Sequence, residues 1–390
     1  MKNLIISLSV LSTFVFNIPS TQILDDYKSA VRTDSTITIT ISVVGDLMCH
    51  SPQFEYAKVG KDSFDFTPTY RNVKRYLESS DFTFGNLETV TAGKKNGGFT
   101  GYPFFNSPSQ YLDALKSVGF DLLVTANNHS IDRGENGVLL TIDELIKRNI
   151  NYVGTYSSQT DRDSVRVYDI KGINIAFLAY SYGTNGNPIP KGKNYLINLI
   201  DFNLIEQDIK TARNNGAELV LVHYHFGDEY IREPVKAQRD AVNKAIEFGA
   251  DIIIGGHPHV LQPVDFFRTV NGKLDTGFVA YSMGNFISNQ RDRFKDAGII
   301  ITLNILKDFN DNKITINEVN YLPTWVFKGN TLNGREYVII PSTFQNDSTI
   351  TLSLADIKRM NQAFQDTRDI VNKYSTNPKL KEIIDIKEID

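Results

Sequence analysis

The sequence is poor in the residue that would tie it together covalently: it has one cysteine, Cys49, in 390 residues. No intrachain disulfide can form, and a cysteine inside an apolar, strand-like run reads as a small buried thiol. Export stays open, because a chain of this length, 41% hydrophobic, can build a core that needs no covalent staple. A surplus of positive charge is also missing. The formal net charge is -4 and acidic and basic residues are interspersed, so no basic stripe tracks a nucleic acid backbone and no nucleic acid partner is expected. The apolar run from Leu4 to Phe16 falls short of the roughly 20 residues a membrane-spanning helix needs. With Lys2 ahead of it and Ser20 and Thr21 behind, it has the pattern of a secretory signal peptide, an uncleaved signal anchor being the alternative. No cysteine follows directly, so lipoprotein-type attachment is unsupported. These features predict an exported protein that is periplasmic, extracellular or anchored to the outer face of the cytoplasmic membrane.

What is present is a regular alternation of strands and helices. TITITISVV at 36–44 alternates hydroxyl and β-branched residues and ends in Gly45-Asp46. Apolar runs at 81–88, 120–130, 173–181, 218–227, 251–259 and 276–286 read as further strands, most continuous enough for a sheet covered on both faces. Between them, 108–119, 135–149, 203–216 and 235–249 carry apolar residues at helical spacing. Residues 296–327 predict alternating strands about a polar turn at 309–313, followed by a loop through Gly334. A long surface helix is expected over 353–374, with Ser353 as N-cap and Asp356 as its capping-box partner. The chain therefore reads as layered α/β with an antiparallel section. Without an internal repeat or a strong linker, it divides into a signal peptide or anchor at 1–21, one catalytic domain at 22–345 and a helical extension at 346–390.

Histidine is scarce, and its placement is informative: all six histidines, His50, His129, His223, His225, His257 and His259, lie in or just beyond strand-end segments. Asp46, Glu88, Asn127, Asn128 and Asn285 fall at such ends too. In an open sheet with parallel strands, carboxyl ends meet along one edge, where ligands bind. A lone histidine there is more often structural than a ligand, and a GN or GD pair alone is most often a turn. The collection differs from its members. Two carboxylates, an amide oxygen and several imidazoles suit Mn, Zn or Fe. Burying Asp46 and Glu88 unpaired would cost several kcal/mol, and no lysine or arginine lies within these motifs. Two cations sharing a carboxylate would use this many donors, whereas one four-coordinate ion would leave several idle.

Gly45-Asp46, GNLE with Glu88, NNH with His129, HFGDEY with His225, GGHPH with His257 and His259, and YSMGNF with Asn285 occur in an order that resembles the CapA-like proteins of bacterial poly-gamma-glutamate capsule synthesis. These are a branch of the calcineurin-like metallophosphoesterase superfamily, and the resemblance covers roughly residues 38–290. It implies a four-layer α/β/β/α sandwich with two mixed sheets and two divalent cations, Mn²⁺ first, with Zn²⁺ or Fe as alternatives. By motif, Asp46 and His259 would serve one cation, Asn128, His225 and His257 the other, and Glu88 would bridge them. His129 would contact the substrate phosphate and protonate the leaving oxygen, and imidazole suits proton transfer near neutral pH. Asp132 and Glu229 would stand at the rim or orient histidines. The superfamily's Asp-x-His start is broken by Met48, which leaves His50 as a ligand, a substrate contact or a plain loop histidine. His223, two residues before His225, shares its face in an extended strand and is read as substrate-facing or supporting, with Asn127 and Asn285 as further substrate contacts.

The implied function is a metal-dependent hydrolase acting on a phosphoester or a similar bond, in synthesis, export or anchoring of poly-gamma-glutamate or a related anionic polymer. The competing readings are a non-catalytic metal-containing binding or scaffold factor of a polymer export system and an adaptor in which metals only stabilise the fold. Expected partners are an anionic polymer or phosphorylated small substrate and a membrane-bound synthase or exporter. The Gly-, Pro- and Asn-rich stretch 182–195 is placed to cover the site, and Lys191 and Lys193 would attract an anion, although a solvated loop accounts for it equally well.

Overall fold

A computed structural model describes residues 35–384. The segment read as a signal peptide or anchor lies outside them. The strands are β1 (Thr36–Leu47), β2 (Phe82–Leu87), β3 (Leu122–Val124), β4 (Asn151–Val153), β5 (Val167–Ile170), β6 (Ile173–Ser181), β7 (Leu219–His225), β8 (Ile252–Gly256), β9 (Val264–Arg268), β10 (Thr276–Ala280), β11 (Asn285–Ile287), β12 (Ala297–Asp308), β13 (Lys313–Thr331), β14 (Gly334–Pro341) and β15 (Leu380–Glu382). They form two sheets. The first runs β14-β13-β12-β1-β2-β3-β4, with β11 beside β1 and β15 beside β13; the second runs β5-β6-β7-β8-β10-β9. The helices are α1 (Ser51–Tyr56), α2 (Lys74–Glu78), α3 (Gln110–Ser117), α4 (Gly134–Lys147), α5 (Gln159–Asp163), α6 (Phe202–Asn214), α7 (Lys236–Phe248) and α8 (Leu354–Val371). Among the described residues no helix is long and apolar enough to cross a membrane.

Two-residue periodicity explains the layering. In β6, Ile175, Phe177 and Ala179 join the core between the sheets, where Phe177 packs 4.9 Å from Phe82 and 5.4 Å from Phe84 of β2, centroid to centroid. The alternate residues Ala176, Leu178 and Tyr180 face outward onto Ile205, Ile209 and Ala212 of α6 and Ala241, Val242 and Ala245 of α7. Each fully buried large apolar side chain contributes about 1.5–3 kcal/mol, so both faces of this sheet are strongly held. Leu112 and Leu115 of α3 and Val138, Ile142 and Leu145 of α4 belong to the large core that contains the first sheet. The result is the α/β/β/α sandwich of two mixed sheets that the resemblance implies.

This alternation also aims the chemistry. In β7, Leu219 and Leu221 face the inter-sheet core while Val220 and Val222 face the helices, so His223 and His225 continue the inter-sheet face. Strands β1, β2 and β3 are mutually parallel, as are β6, β7, β8 and β10, which brings their carboxyl ends together.

Several local expectations are corrected. The predicted loop before Gly334 is strand: β13 continues to Thr331 and turns through Leu332 and Asn333 into β14, pairing Thr331 with Gly334. Its outer end is polar and solvent-facing, so it lacks the apolar alternation by which strands are recognised. The strand expected over 120–130 is confined to Leu122–Val124, and TANNHS lies beyond it. Asn285 opens β11 rather than closing a preceding strand, and pairs in register with Asp46. The helix of the C-terminal segment begins with the expected reciprocal cap: Ser353 Oγ accepts from Asp356 N at 3.1 Å, and Ser353 N donates to Asp356 Oδ2 at 3.0 Å. The segment then adds β15, parallel to β13.

Candidate metal centre

Five strands converge on one buried cluster. Asp46 lies at the end of β1, Glu88 follows β2, Asn128 and His129 follow β3, His225 ends β7, and His257 and His259 follow β8. All of them are buried. The GG pair is explained by crowding: a Cβ on Gly255 would lie 2.0 Å from Tyr281 O, and one on Gly256 would lie 2.7 Å from Asp46 Oδ1. The expectation that His257 and His259 sit on an extended segment is corrected. Both occupy the left-handed region, with φ of 95° and 57°, sparsely populated for residues other than glycine. Backbone held there at two histidines is characteristic of a functional site, since packing must over-determine it.

Glu88 lies between two groups of donor atoms. Asp46, Glu88 and His259 form one; Glu88, His225 and His257 form the other; within each, one donor atom per residue lies within 4.8 Å of the others. His225 Nε2 and His259 Nε2 are each 3.7 Å from Glu88 Oε1, too far for a hydrogen bond, and that oxygen is buried with no partner. Asn128 Oδ1 stands 2.8 Å from His225 Nε2 and so adds an oxygen to the second group. His257 Nδ1 is likewise buried and unpartnered. Exposed Glu229 joins a third group with His257 and His259 at the opening.

Electrostatics separates the two acids. Burial alone would raise Asp46, but the His259 hydrogen bond and charge, together with Asn86, outweigh it and lower its pKa. Burial drives the Glu88 pKa well above the ordinary value, and Asp46 adds to it. Burial, reinforced by His257 and His223, pushes His225 far down, and burial with His259 holds His257 at about 4. Imidazoles held toward their neutral form and a carboxyl oxygen with no partner are donors of the kind a cation takes. The donors are oxygen and nitrogen, the unpartnered atoms converge, and no Lys or Arg salt bridge reaches Asp46 or Glu88 among the described residues; the set fits divalent cations.

The remaining predicted residues take distinct places. His129 Nδ1 is 2.8 Å from Asp132 Oδ2, which also accepts from Phe105 N at 2.7 Å. Asn127 is spent inside the protein: its Nδ2 donates to Asn86 Oδ1 at 3.1 Å and Leu87 O at 2.8 Å, and its Oδ1 accepts from His129 N at 3.1 Å. Asn285 is likewise committed, with Oδ1 3.1 Å from His259 Nδ1 and Nδ2 donating to Lys295 O at 2.9 Å and Gln290 Oε1 at 3.0 Å. Both read from sequence as substrate contacts; in the structure Asn127 braces Asn86 and the backbone of His129, Asn285 reaches His259, and the amide donors of both are engaged inside the protein. His50 stays out of the donor groups; its Nδ1 is 3.2 Å from Gln53 Oε1 and accepts from Asn289 N at 3.4 Å. His223 is buried with an unpartnered Nδ1, and burial lowers its pKa to about 4.

Sequence reasoning missed Asn86. Its Nδ2 reaches Asp46 Oδ1 at 2.8 Å and Glu88 Oε2 at 3.2 Å, and lies 3.3 Å from His225 Nδ1, tying both sheets together. The available signal was its spacing of two from Glu88 in a strand. The 182–195 loop does cover the site, through side chains other than its lysines. Tyr182 packs 4.5 Å from the His257 ring, Asn185 Oδ1 accepts from Asn128 at 3.1 Å, and Asn187 reaches Asp132 Oδ1 at 3.4 Å. Lys193 is paired with Glu135 at 2.5 Å.

Residues 40–290 match the family model described as bacterial capsule synthesis protein PGA_cap. The chain is 29% identical over 269 residues to the capsule biosynthesis protein CapA of Bacillus anthracis, a match covering 67% of this chain and 63% of that protein. It is 28% identical over 273 residues to the PGA biosynthesis protein CapA of Bacillus subtilis (strain 168), covering 69% of each. The match thus spans less than two thirds of the anthracis relative. Among solved structures, it is similar to the Haemophilus influenzae NAD nucleotidase at 12% identity and a TM-score of 0.48, covering 91% of this chain and 59% of that one. It is also similar to the calcineurin-like phosphoesterase YfkN of Bacillus subtilis at 13% identity and a TM-score of 0.41, covering 85% and 98%.

Proposed function

The chain belongs to the bacterial capsule synthesis protein family, and from that premise we propose that it is a phosphoesterase-type hydrolase with two divalent cations, working outside the cytoplasm in synthesis, export or anchoring of poly-gamma-glutamate or a related anionic polymer. The observation that carries the chemistry is the buried, unpartnered Glu88 Oε1 shared by two donor groups. Asp46 and His259 would hold one cation, Asn128, His225 and His257 the other, and Glu88 both. When bound, such cations polarise a phosphoryl oxygen and make water a nucleophile near neutral pH.

The chain's own residues supply orientation and proton transfer. Asp132 accepts from His129 Nδ1, which fixes the tautomer and leaves Nε2 as the atom that exchanges a proton. Protonated at Nε2, His129 donates to the leaving oxygen. Asn185 Nδ2, 3.5 Å from His129 Nε2, and the Tyr182 ring over His257 narrow the space around both groups and reduce access of bulk water. Asn86 and Asn285 hold Asp46, Glu88 and His259 in place.

The test is hydrolysis of an aryl phosphate by the full chain with Mn²⁺, compared with Asp46→Ala and His257→Ala. Turnover that disappears in both variants supports the reading. Turnover unchanged in both sinks the assigned site, and saturable polymer binding without turnover favours the non-catalytic scaffold. The export route, the small phosphorylated substrate and a membrane-bound synthase or exporter as partner belong to the same proposal, resting on the apolar N-terminal segment and the capsule role named for the relatives.

A further inference from the structure

The loop between β11 and β12 and the first turns of α8 border an open cavity of about 560 Å³, lined by Arg291, Asp292, Arg293, Asp296, Lys358, Arg359 and neighbouring α8 residues. Its charges do not cancel. Arg293 pairs with Asp366 at 2.8 Å, Arg359 with Asp296 at 2.9 Å, and Asp292 is taken by Lys295 at 2.5 Å. Arg291 and exposed Lys358 are left without a carboxylate partner among the described residues.

Arg291 is the informative residue. Its Nη1 is buried and has no hydrogen-bond partner. The guanidinium lies 5.7 Å from the Trp325 ring centroid, near the outer limit for a cation–π contact, and such a contact supplies no hydrogen-bond acceptor to Nη1. Around it stand more cations: Arg359 donates to Arg291 O, and both burial and Arg291 lower the Lys328 pKa. Burial likewise lowers Arg291 itself, Asp296 opposing and Arg359 adding to the effect. A desolvated guanidinium edge beside other cations calls for an anion, since an unpaired buried charge is strongly unfavourable. A planar fork of donors suits an oxyanion gripped by two oxygens.

We propose that this cavity is a second binding site, distinct from the metal centre, for an oxyanion, a carboxylate or phosphate group, held by the edge of Arg291 with Lys358 and Arg359 alongside. It adjoins the metal centre through the chain itself, because Asn285 Nδ2 donates to Gln290 Oε1 and Lys295 O of the same loop while its Oδ1 faces His259. The proposal does not depend on hydrolysis.

The test is calorimetric titration of the full chain, freed of metal with a chelator, using inorganic phosphate in one arm and a short γ-linked glutamate oligomer in the other. Saturable binding of either probe is expected. It should weaken about tenfold or more in Arg291→Gln, the loss typical of a charge-assisted hydrogen bond, and measurably in Lys358→Gln, whose side chain is exposed. Glu88→Gln should leave it unchanged. Tighter binding of the oligomer assigns the site to a polycarboxylate, and tighter binding of phosphate assigns it to a phosphorylated ligand. The proposal is overturned if neither probe binds at millimolar concentration, if Arg291→Gln and Lys358→Gln both bind like the parent, or if Glu88→Gln abolishes binding.

Discussion

Replacing Glu88 by Gln keeps the side chain's size and one acceptor for Asn86 Nδ2 while removing the charge on the oxygen that both donor groups share. Metal-free protein should lose little, or gain, because a buried carboxyl beside Asp46 gives way to a neutral amide. The cation-loaded protein should lose much more. A ligand present at about 100 times its dissociation constant stabilises the fold by about 2.7 kcal/mol, so two such sites contribute about 5 kcal/mol. At about 2.1 cal/mol/K of unfolding entropy per residue, a domain of this length shifts by roughly 1.3 °C per kcal/mol, so Mn²⁺ should raise the Tm of the parent by about 6–7 °C. Because Glu88 belongs to both groups, the single substitution should remove nearly all of that rise, whereas His257→Ala, which touches one of these two groups, should keep about half. Differential scanning calorimetry with chelator and with Mn²⁺ reads both. A Glu88→Gln protein that keeps the full Mn²⁺ shift would refute the shared-carboxylate reasoning.

Asn86→Ala should lower Mn²⁺ affinity about 10- to 100-fold, as loss of a ligand-orienting neighbour does, measured by calorimetry. His129→Asn should cut turnover about 10²- to 10⁴-fold on alkyl phosphates and far less on activated aryl phosphates, with Mn²⁺ binding intact; equal losses on both substrates would argue against proton donation. Burial depresses His50 to about 4 from an ordinary 6.5. With the folded value lower, its contribution is fully present above pH 6.5 and is lost as pH falls from there through 4, the loss reaching about 2 kcal/mol near pH 5. His50→Gln should flatten that part of the urea-unfolding profile. Asp208 accepts two Arg162 bonds at 2.9 and 2.6 Å and one from Tyr180 at 2.7 Å, so Asp208→Ala should cost about 3–5 kcal/mol in urea unfolding by stranding a buried guanidinium.

The layered α/β order was legible because β6, β7 and β8 carry apolar residues on both faces and α6 and α7 carry them on one, patterns that need no tertiary knowledge. The donor set was legible because histidine is confined to strand ends. The rest depends on long-range pairing. That Asn127 and Asn285 are consumed by Asn86 and His259 follows from distances across the sheets, invisible in their own motifs. Asn86 was hidden by its ordinary strand context, and the outer end of β13 by its polarity. The left-handed backbone at His257 and His259 could not be read from spacing, because local preference opposes it and the contacts that hold the turn, such as His257 N donating to Asp46 Oδ2, come from distant segments.

On the proposed function, one carboxylate, Glu88, joins two cation sites. Titrating chelator-treated full chain with Mn²⁺ and following electron paramagnetic resonance tests it most directly. Two bound equivalents with the spectrum of an exchange-coupled pair, lost in Glu88→Gln, are predicted. One equivalent with the spectrum of an isolated ion, or a coupled pair that survives Glu88→Gln, would contradict it.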